Sequence, residues 1–223
     1  MIEDEVKPGV TTAHLDSLAE DFIRSKGANP GFKGYRGFPG SACISIDDEV
    51  VHGIPGTREL RDGQVVSIDL GAIVGGFWGD SARSYAVGDI SDEKRKLLEV
   101  TEKSLYEGIK KVKNGVRLGV VSNTIQKIVE DAGFSVVRDM VGHGVGKDLH
   151  EDPQIPHFGP SGSGPVLEIG MVLAIEPMVN TGDYKINQKP DGWTIVTADG
   201  STSAHFEHTV AVTEDGADIL TLL

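Results

Sequence analysis

Cysteine is almost absent: Cys43 is the single one in 223 residues. That excludes an intrachain disulfide and fits a reducing, cytoplasmic compartment. Long apolar runs are missing too, none approaching the roughly 18 residues that a membrane span needs. The opening MIEDEVKPGV is acidic and has no apolar core, which is unlike a secretory leader. Basic residues are in short supply, 21 Lys and Arg against 34 Asp and Glu, for a formal net charge of −13. A chain without a basic face does not bind nucleic acid through its phosphates. The acid excess itself serves solubility.

A few of those acids stand in unusual surroundings. Asp69, Asp80, Glu176 and Glu207 lie in short apolar runs that read as β-strands: VVSIDLGA (65–72), GDSARSYAV (79–87), MVLAIEPMV (171–179) and HFEHTVAV (205–212). Burying a lone carboxylate costs several kcal/mol at least, so such acids are expected to be paired or metal-bound. Arg83 is the only cation in these runs. Metal is the economical explanation, and His143, in the glycine-rich GHGVG, adds an imidazole to the set. Four oxygen donors and one imidazole suit Mn, Fe(II) or Co(II) better than a sulfur-rich structural zinc site. Strand alternation puts Ser67, Asp69 and Gly71 on one face, and gives Asp80, Glu176 and Glu207 small companions on theirs. That face should line a pit, while helices cover the opposite, apolar face.

The chain carries a weak internal repeat. KPGVTTAHLDSLAEDFIRSKGA (7–28) aligns with KNGVRLGVVSNTIQKIVEDAGF (113–134) at a constant offset, each copy reading as turn, amphipathic helix and glycine stop. The second copy follows another helix, 92–112 with Ser91 as N-cap; the first has no such partner. ACISIDDEVVHGI (42–54) reads as a hairpin turning at Asp47–Asp48, the strands at 65–72 and 79–87 are joined by the turn IVGGFWG, and 151–165 reads as an irregular loop. These elements predict an α+β fold, with helices on one face of an antiparallel sheet, in a single domain over 1–223 with pseudo-repeat halves of about 1–90 and 91–223. No apolar stripe asks for a partner beyond what the absent helix uncovers, so a monomer is expected.

Among the remaining histidines, His52 (VHGIP) and His150 (LHEDP) precede turn signals and belong on the sheet rim. His205 shares the face of Glu207, His208 faces away from it as a structural residue, and His14 and His157 read as incidental. Cys43, in an apolar setting, reads as pocket lining. There is no H-E-x-x-H, no phosphate loop and no G-x-S-x-G elbow.

Taken together and in order, VHGIP, SIDLG with the following GDSAR, GHGVGKDLHEDP, AIEPM and AHFEHT resemble type I methionine aminopeptidases, pita-bread enzymes of metallopeptidase family M24. The resemblance covers nearly the whole chain. It implies removal of N-terminal methionine from peptides and nascent proteins, with hydroxide generated at two divalent ions (Co, Mn, Fe(II) or Zn) as the nucleophile. It implies that Asp69 chelates one ion, that Asp80 and Glu207 bridge both, and that His143 and Glu176 complete the other shell. Glu176 then shuttles the proton, while His52 and His150 contact the substrate near the scissile peptide without ligating metal. Tyr35, Phe38, Cys43, His52, Leu149 and Trp193 match the methionine pocket, and nascent substrates imply a transient contact with the ribosome. The family normally begins with a further N-terminal helix, in keeping with the broken repeat. Two rivals share the fold: X-Pro aminopeptidases and prolidases, which carry a large extra domain, and a non-catalytic binding module, which would have lost ligands.

Overall fold

The repeat read from sequence is present in the hydrogen bonds of the computed structural model, which describes residues 2–222. A turn of helix, α1 (Ile2–Glu5), precedes α2 (Thr12–Ser25), whose N-terminus is capped by Thr11 accepting from His14 N–H at 3.2 Å. Next come β1 (Asn29–Pro30), a 3-10 turn at Tyr35–Gly37, β2 (Ala42–Ile46), β3 (Glu49–Val51), β4 (Gln64–Val74) and β5 (Phe77–Val87). Helices α3 (Asp92–Ile109) and α4 (Leu118–Asp131) follow. The chain continues as β6 (Ser135–Val136), β7 (Gly142–Gly144), β8 (Glu151–Ile155), β9 (Val172–Ile175) and β10 (Met178–Asn180). It ends with β11 (Ile186–Gln188), β12 (Ile195–Thr197), β13 (Ser203–His205), β14 (His208–Val212) and β15 (Ala217–Ile219).

Helices α2 and α4 stop in the same way. Gly27 and Gly133 take φ of +75° and +90°, and the N–H groups of Ala28 and Phe134 reach back to Ile23 O and Val129 O, both at 3.2 Å. That is the pattern of a glycine-terminated helix whose last carbonyls are satisfied by the reversing chain. The buried faces match as well. Leu15, Ala19 and Ile23 of α2 stand where Val121, Ile125 and Val129 stand in α4. Leu15 and Ala19 pack with Ile44, Ile46, Val66 and Ile68, whereas Val121, Ile125 and Val129 pack with α3 and with Leu173, Ile175 and Val210. Each half therefore has its own core, on the side of the strands away from the acids, as alternation requires.

At the repeat offset α1 falls on the end of α3. Beside α1 and α3, a groove of about 750 Å³ opens over β4 and β5. Phe22, Val74 and Phe77 line it and are exposed.

Several boundaries differ from the sequence reading. β4 and β5 run in unbroken register from Gln64↔Val87 to Val74↔Phe77, closed by Gly75–Gly76 alone, at φ +59° and +86°. Two successive positive-φ residues make the tight turn that matches strand twist, so the loop is shorter than IVGGFWG. The chain does turn at Asp47, but with φ +55°, and β3 pairs with β12 while β2 pairs with β4, so 42–54 is not a two-stranded ladder. Glu151–Ile155, expected in a loop, is β8, at the edge of the five-stranded sheet β15-β14-β9-β7-β8. Pro153 disguised it, since proline is tolerated on an edge where no ladder N–H is needed.

The largest difference concerns the third and fourth acid-bearing runs. Both are interrupted at the acid: Glu176 lies between β9 and β10, and Glu207 between β13 and β14. At each break the chain passes between the five-stranded sheet and the three-stranded sheet β13-β10-β6. Both glutamates thus stand where strands change sheet, not in the middle of a ladder.

Candidate metal centre and substrate pocket

Asp69 pairs with Ala82 and Gly71 pairs with Asp80, which puts both aspartates on one face of the β4–β5 ladder, one step apart. Glu207 is brought beside them from the other half of the chain. Its N–H donates to Ala82 O at 2.8 Å, and on either side a hydroxyl takes the place of a backbone partner. Thr209 Oγ1 accepts from Asp80 N–H (2.9 Å) and donates to Asp80 O (2.8 Å). Ser84 Oγ accepts from His205 N–H (2.8 Å) and donates to His205 O (2.9 Å). This seam fixes the position of Asp80. Thr209→Val keeps the shape but leaves the buried N–H and C=O of Asp80 unpartnered, each costing about 1–3 kcal/mol. Denaturant melts should show a loss of about 2–6 kcal/mol, with Thr209→Ser close to wild type; a Val variant as stable as wild type would contradict the seam.

His143 enters on β7, opposite Ala174 of β9. The glycines beside it are steric requirements: a Cβ on Gly142 would lie 2.3 Å from Ala174 O, and one on Gly144 2.2 Å from Asp152 O. Nδ1 of His143 is 2.9 Å from Gly144 O. A carbonyl only accepts, so Nδ1 carries the proton and Nε2 presents a lone pair. That lone pair faces Glu176 Oε1 at 3.4 Å, and one ligand atom each of Asp80, His143 and Glu207 lie within 4.8 Å of one another. His205, expected near the set, has Nε2 3.6 Å from Glu176 Oε2.

These residues fit a cation. Asp69 Oδ1, Asp80 Oδ1 and Glu207 Oε1 are buried without a hydrogen-bond partner among the described residues. Arg83, the one local cation of the sequence reading, turns away to Glu102 at 3.3 Å. Burial, aided by mutual repulsion, pushes Asp69, Glu176 and Glu207 well above the carboxylate range, and burial lifts Asp80 to about 7. Protons hold this charge when no cation does. A carboxylate with a raised pKa keeps its proton until pH exceeds that value, so a cation must displace it. Metal affinity should therefore be full above about pH 7 for the Asp80 step and decline as pH falls through that value, with protons released on binding. Calorimetry at pH 6.5 in buffers of different ionisation enthalpy checks this. No proton release there would show that these acids are already ionised.

Beside the acids is an apolar cluster. Phe32, Phe38, Cys43 and Leu149 are buried together, with Tyr35, Ile54, Trp78 and Trp193 packed against them. Phe38 and Trp193 meet edge-to-face, 5.1 Å between centroids at 71°. Burial pushes the Cys43 thiol up, so it stays protonated as an apolar wall. His52, at φ +60°, lies edge-on to Trp193 at 6.5 Å. His150 packs on His143 with 4.3 Å between centroids and hydrogen-bonds Tyr35 Oη at 3.0 Å. Burial, then His143, takes it down to about 4, so it is neutral near pH 7. The predicted acids and His143 thus adjoin the aromatic group, through Cys43 opposite Asp69 and through His150 against His143.

Some neighbours were not singled out from sequence. Phe32 and Trp78 join the cluster from segments with no face periodicity, whereas Ile54 sits inside the quoted VHGIP. His157, read as incidental, is buried, and its Nε2 accepts from Glu176 N–H at 3.1 Å. It satisfies the backbone at the break where Pro177 cannot continue a ladder. His208 is structural as expected, bound to Tyr106 Oη (3.0 Å) and Thr221 Oγ1 (2.9 Å).

The sequence profile of metallopeptidase family M24 matches residues 1–214. Methionine aminopeptidase 1 of Bacillus subtilis is 59% identical over 220 residues, which cover 99% of this chain and 89% of that protein. A methionine aminopeptidase structure from Thermotoga maritima superposes with a TM-score of 0.98 at 48% identity, over 100% of this chain and 90% of that one. A prolidase from Pyrococcus furiosus, with TM-score 0.77 and 23% identity over 100% of this chain and 58% of its own, shares the fold alone.

Proposed function

The chain belongs to metallopeptidase family M24 and to its methionine aminopeptidases, and on that premise we propose how its own residues perform the hydrolysis. Asp69, Asp80, His143, Glu176 and Glu207 would hold two divalent ions, and the donor set favours Mn, Fe(II) or Co(II). The observation that carries this reading is the group of buried carboxylate oxygens of Asp69, Asp80 and Glu207 left without partners among the described residues. Ions bound there supply Lewis acidity and bring the pKa of water toward neutrality.

The chain's own groups do the rest. Glu176, half-buried at the pit edge between His143 and His205, accepts the proton of the attacking water and returns it to the leaving amine. His150 donates to the scissile carbonyl as negative charge develops on its oxygen, and His52 approaches from the Trp193 side. Tyr35, Phe38, Cys43, His52, Leu149 and Trp193 receive the methionine side chain, a flexible thioether suited to aromatic and soft walls.

The reading extends to one catalytic domain over 1–223, supported by the seam that ties Asp80 and Ser84 to Thr209 and His205. It extends also to a monomer in the cytoplasm that takes nascent chains at the ribosome, supported by a lone, buried cysteine and the acid excess. Among the described residues no helix is long and apolar enough to cross a membrane.

Release of the first residue from matched peptides beginning with Met, Leu, Lys or Pro tests the pocket. Methionine should be preferred, by roughly 10–200-fold over a near-fitting apolar analogue. Equal turnover of Met- and Lys-initiated peptides would overturn the assignment of the pocket.

A further inference from the structure

Tyr35 and His150 come from opposite halves of the chain, and their side chains meet at 3.0 Å, Oη to Nδ1. Both ends of this contact are held. Tyr35 stands in a tight loop in which Tyr35 N–H donates to Phe32 O (2.9 Å), Gly34 N–H to Phe38 O (2.8 Å) and Phe38 N–H to Tyr35 O (2.9 Å). Gly34 and Gly37 take φ of +85° and +89°, and Arg36 between them takes +48° without being glycine. A loop over-determined in this way leaves the ring little freedom. The Tyr35 ring also packs edge-on against Trp78, 5.7 Å between centroids. His150 is held by the buried Leu149 before it, and by its ring contact with His143.

With Nδ1 engaged by Tyr35, Nε2 is the nitrogen of His150 left for the substrate. It can donate to a developing oxyanion only if it carries the ring proton, and the hydrogen bond made by the other nitrogen decides that. A phenol has one acidic O–H to give, whereas a neutral imidazole N–H is the weaker donor of the two. We infer that Tyr35 is a positioning residue, whose O–H donates to His150 Nδ1 and fixes the imidazole in the Nε2–H form that the reaction needs. This deepens the proposed role of His150 and rests on that reading. It gives Tyr35 a duty separate from that of a pocket wall: Phe would serve as a wall equally well.

Two measurements on Tyr35→Phe test it. The first is ¹⁵N NMR of the His150 ring, in metal-free and in diamagnetic zinc-loaded protein. The wild type should show a protonated Nε2 and a bare Nδ1, and the variant a shift of population toward Nδ1–H. An unchanged tautomer, or a wild type already protonated on Nδ1, would overturn the inference whatever the activity does. The second is a kinetic cycle with His150→Ala. Tyr35→Phe should lower kcat about three- to tenfold, the range one neutral hydrogen bond supports, with KM within about twofold of wild type, because the pocket keeps its ring. In the His150→Ala background it should change nothing further. An equal loss in both backgrounds would show that Tyr35 acts elsewhere, which overturns the inference and leaves the role of His150 standing. If His150→Ala itself costs nothing, the proposed role of His150 fails, and the NMR result alone decides what Tyr35 does to the ring.

Discussion

Asp80→Asn and Glu207→Gln should each strip the protein of bound metal and abolish peptide hydrolysis. These two acids share a cluster with His143 whose ligand atoms lie within 4.8 Å of one another, and each has a buried oxygen with no hydrogen-bond partner among the described residues. An amide of the same shape removes the charge without disturbing the backbone seam, because Thr209 holds Asp80 through its N–H and C=O, and Ala82 holds Glu207 through its own. The fold should survive while the site does not. Losing a shared ligand should cost more than the roughly 10–100-fold in affinity typical of a group that only supports a ligand. The rise in Tm on adding metal, which follows from binding the folded state alone, should vanish in both variants. Thermal melts with and without added Mn, beside metal analysis of the purified proteins, read this directly. A variant that keeps wild-type metal content and activity would show that the acids are not the ligands.

His150→Ala should behave differently. It lies against His143, 4.3 Å between ring centroids, yet its Nδ1 is taken by Tyr35, and burial keeps the ring neutral. A neutral donor to the developing oxyanion matters in the transition state and little before it. Its removal typically costs about 10²–10³ in kcat, with KM nearly unchanged. Metal content should be that of the wild type. Loss of metal as complete as in Asp80→Asn would make His150 a ligand and remove the oxyanion role.

Much of the site was legible in the chain because its signals are local. An acid inside a strand pattern is anomalous whatever the rest of the protein does, and period-two alternation tells which neighbours share its face. Alternation put Asp69 with Ser67 and Gly71, and Asp80 with Ala82 and Ser84, and the β4–β5 register places both acids on one face. The two helices were legible for the same kind of reason, from their apolar spacing and glycine stops.

What sequence could not reveal is mostly non-local. Thr209 and Ser84 look like ordinary strand residues until the two halves are docked, when their hydroxyls replace missing ladder partners across the seam. His157 sits in a proline-rich stretch with no pattern, and its function in the fold depends on a break more than a dozen residues away. Glu176 and Glu207 were read as mid-strand residues because apolar side chains continue on both sides of them. The breaks come from changing sheets, which the local pattern does not record. Phe32 and Trp78 joined the aromatic cluster unannounced, as isolated aromatics from a loop and a hairpin end.

The central claim, that these side chains hold two divalent ions in one pit, is most directly tested by anomalous diffraction from crystals soaked in Mn²⁺ and measured at the manganese edge. Two peaks are expected. One should lie among Asp69, Asp80 and Glu207, and the other among Asp80, Glu207, His143 and Glu176, both lost in Asp80→Asn crystals treated alike. Crystals of active protein with no anomalous density between these residues, or with manganese only elsewhere, would contradict the account.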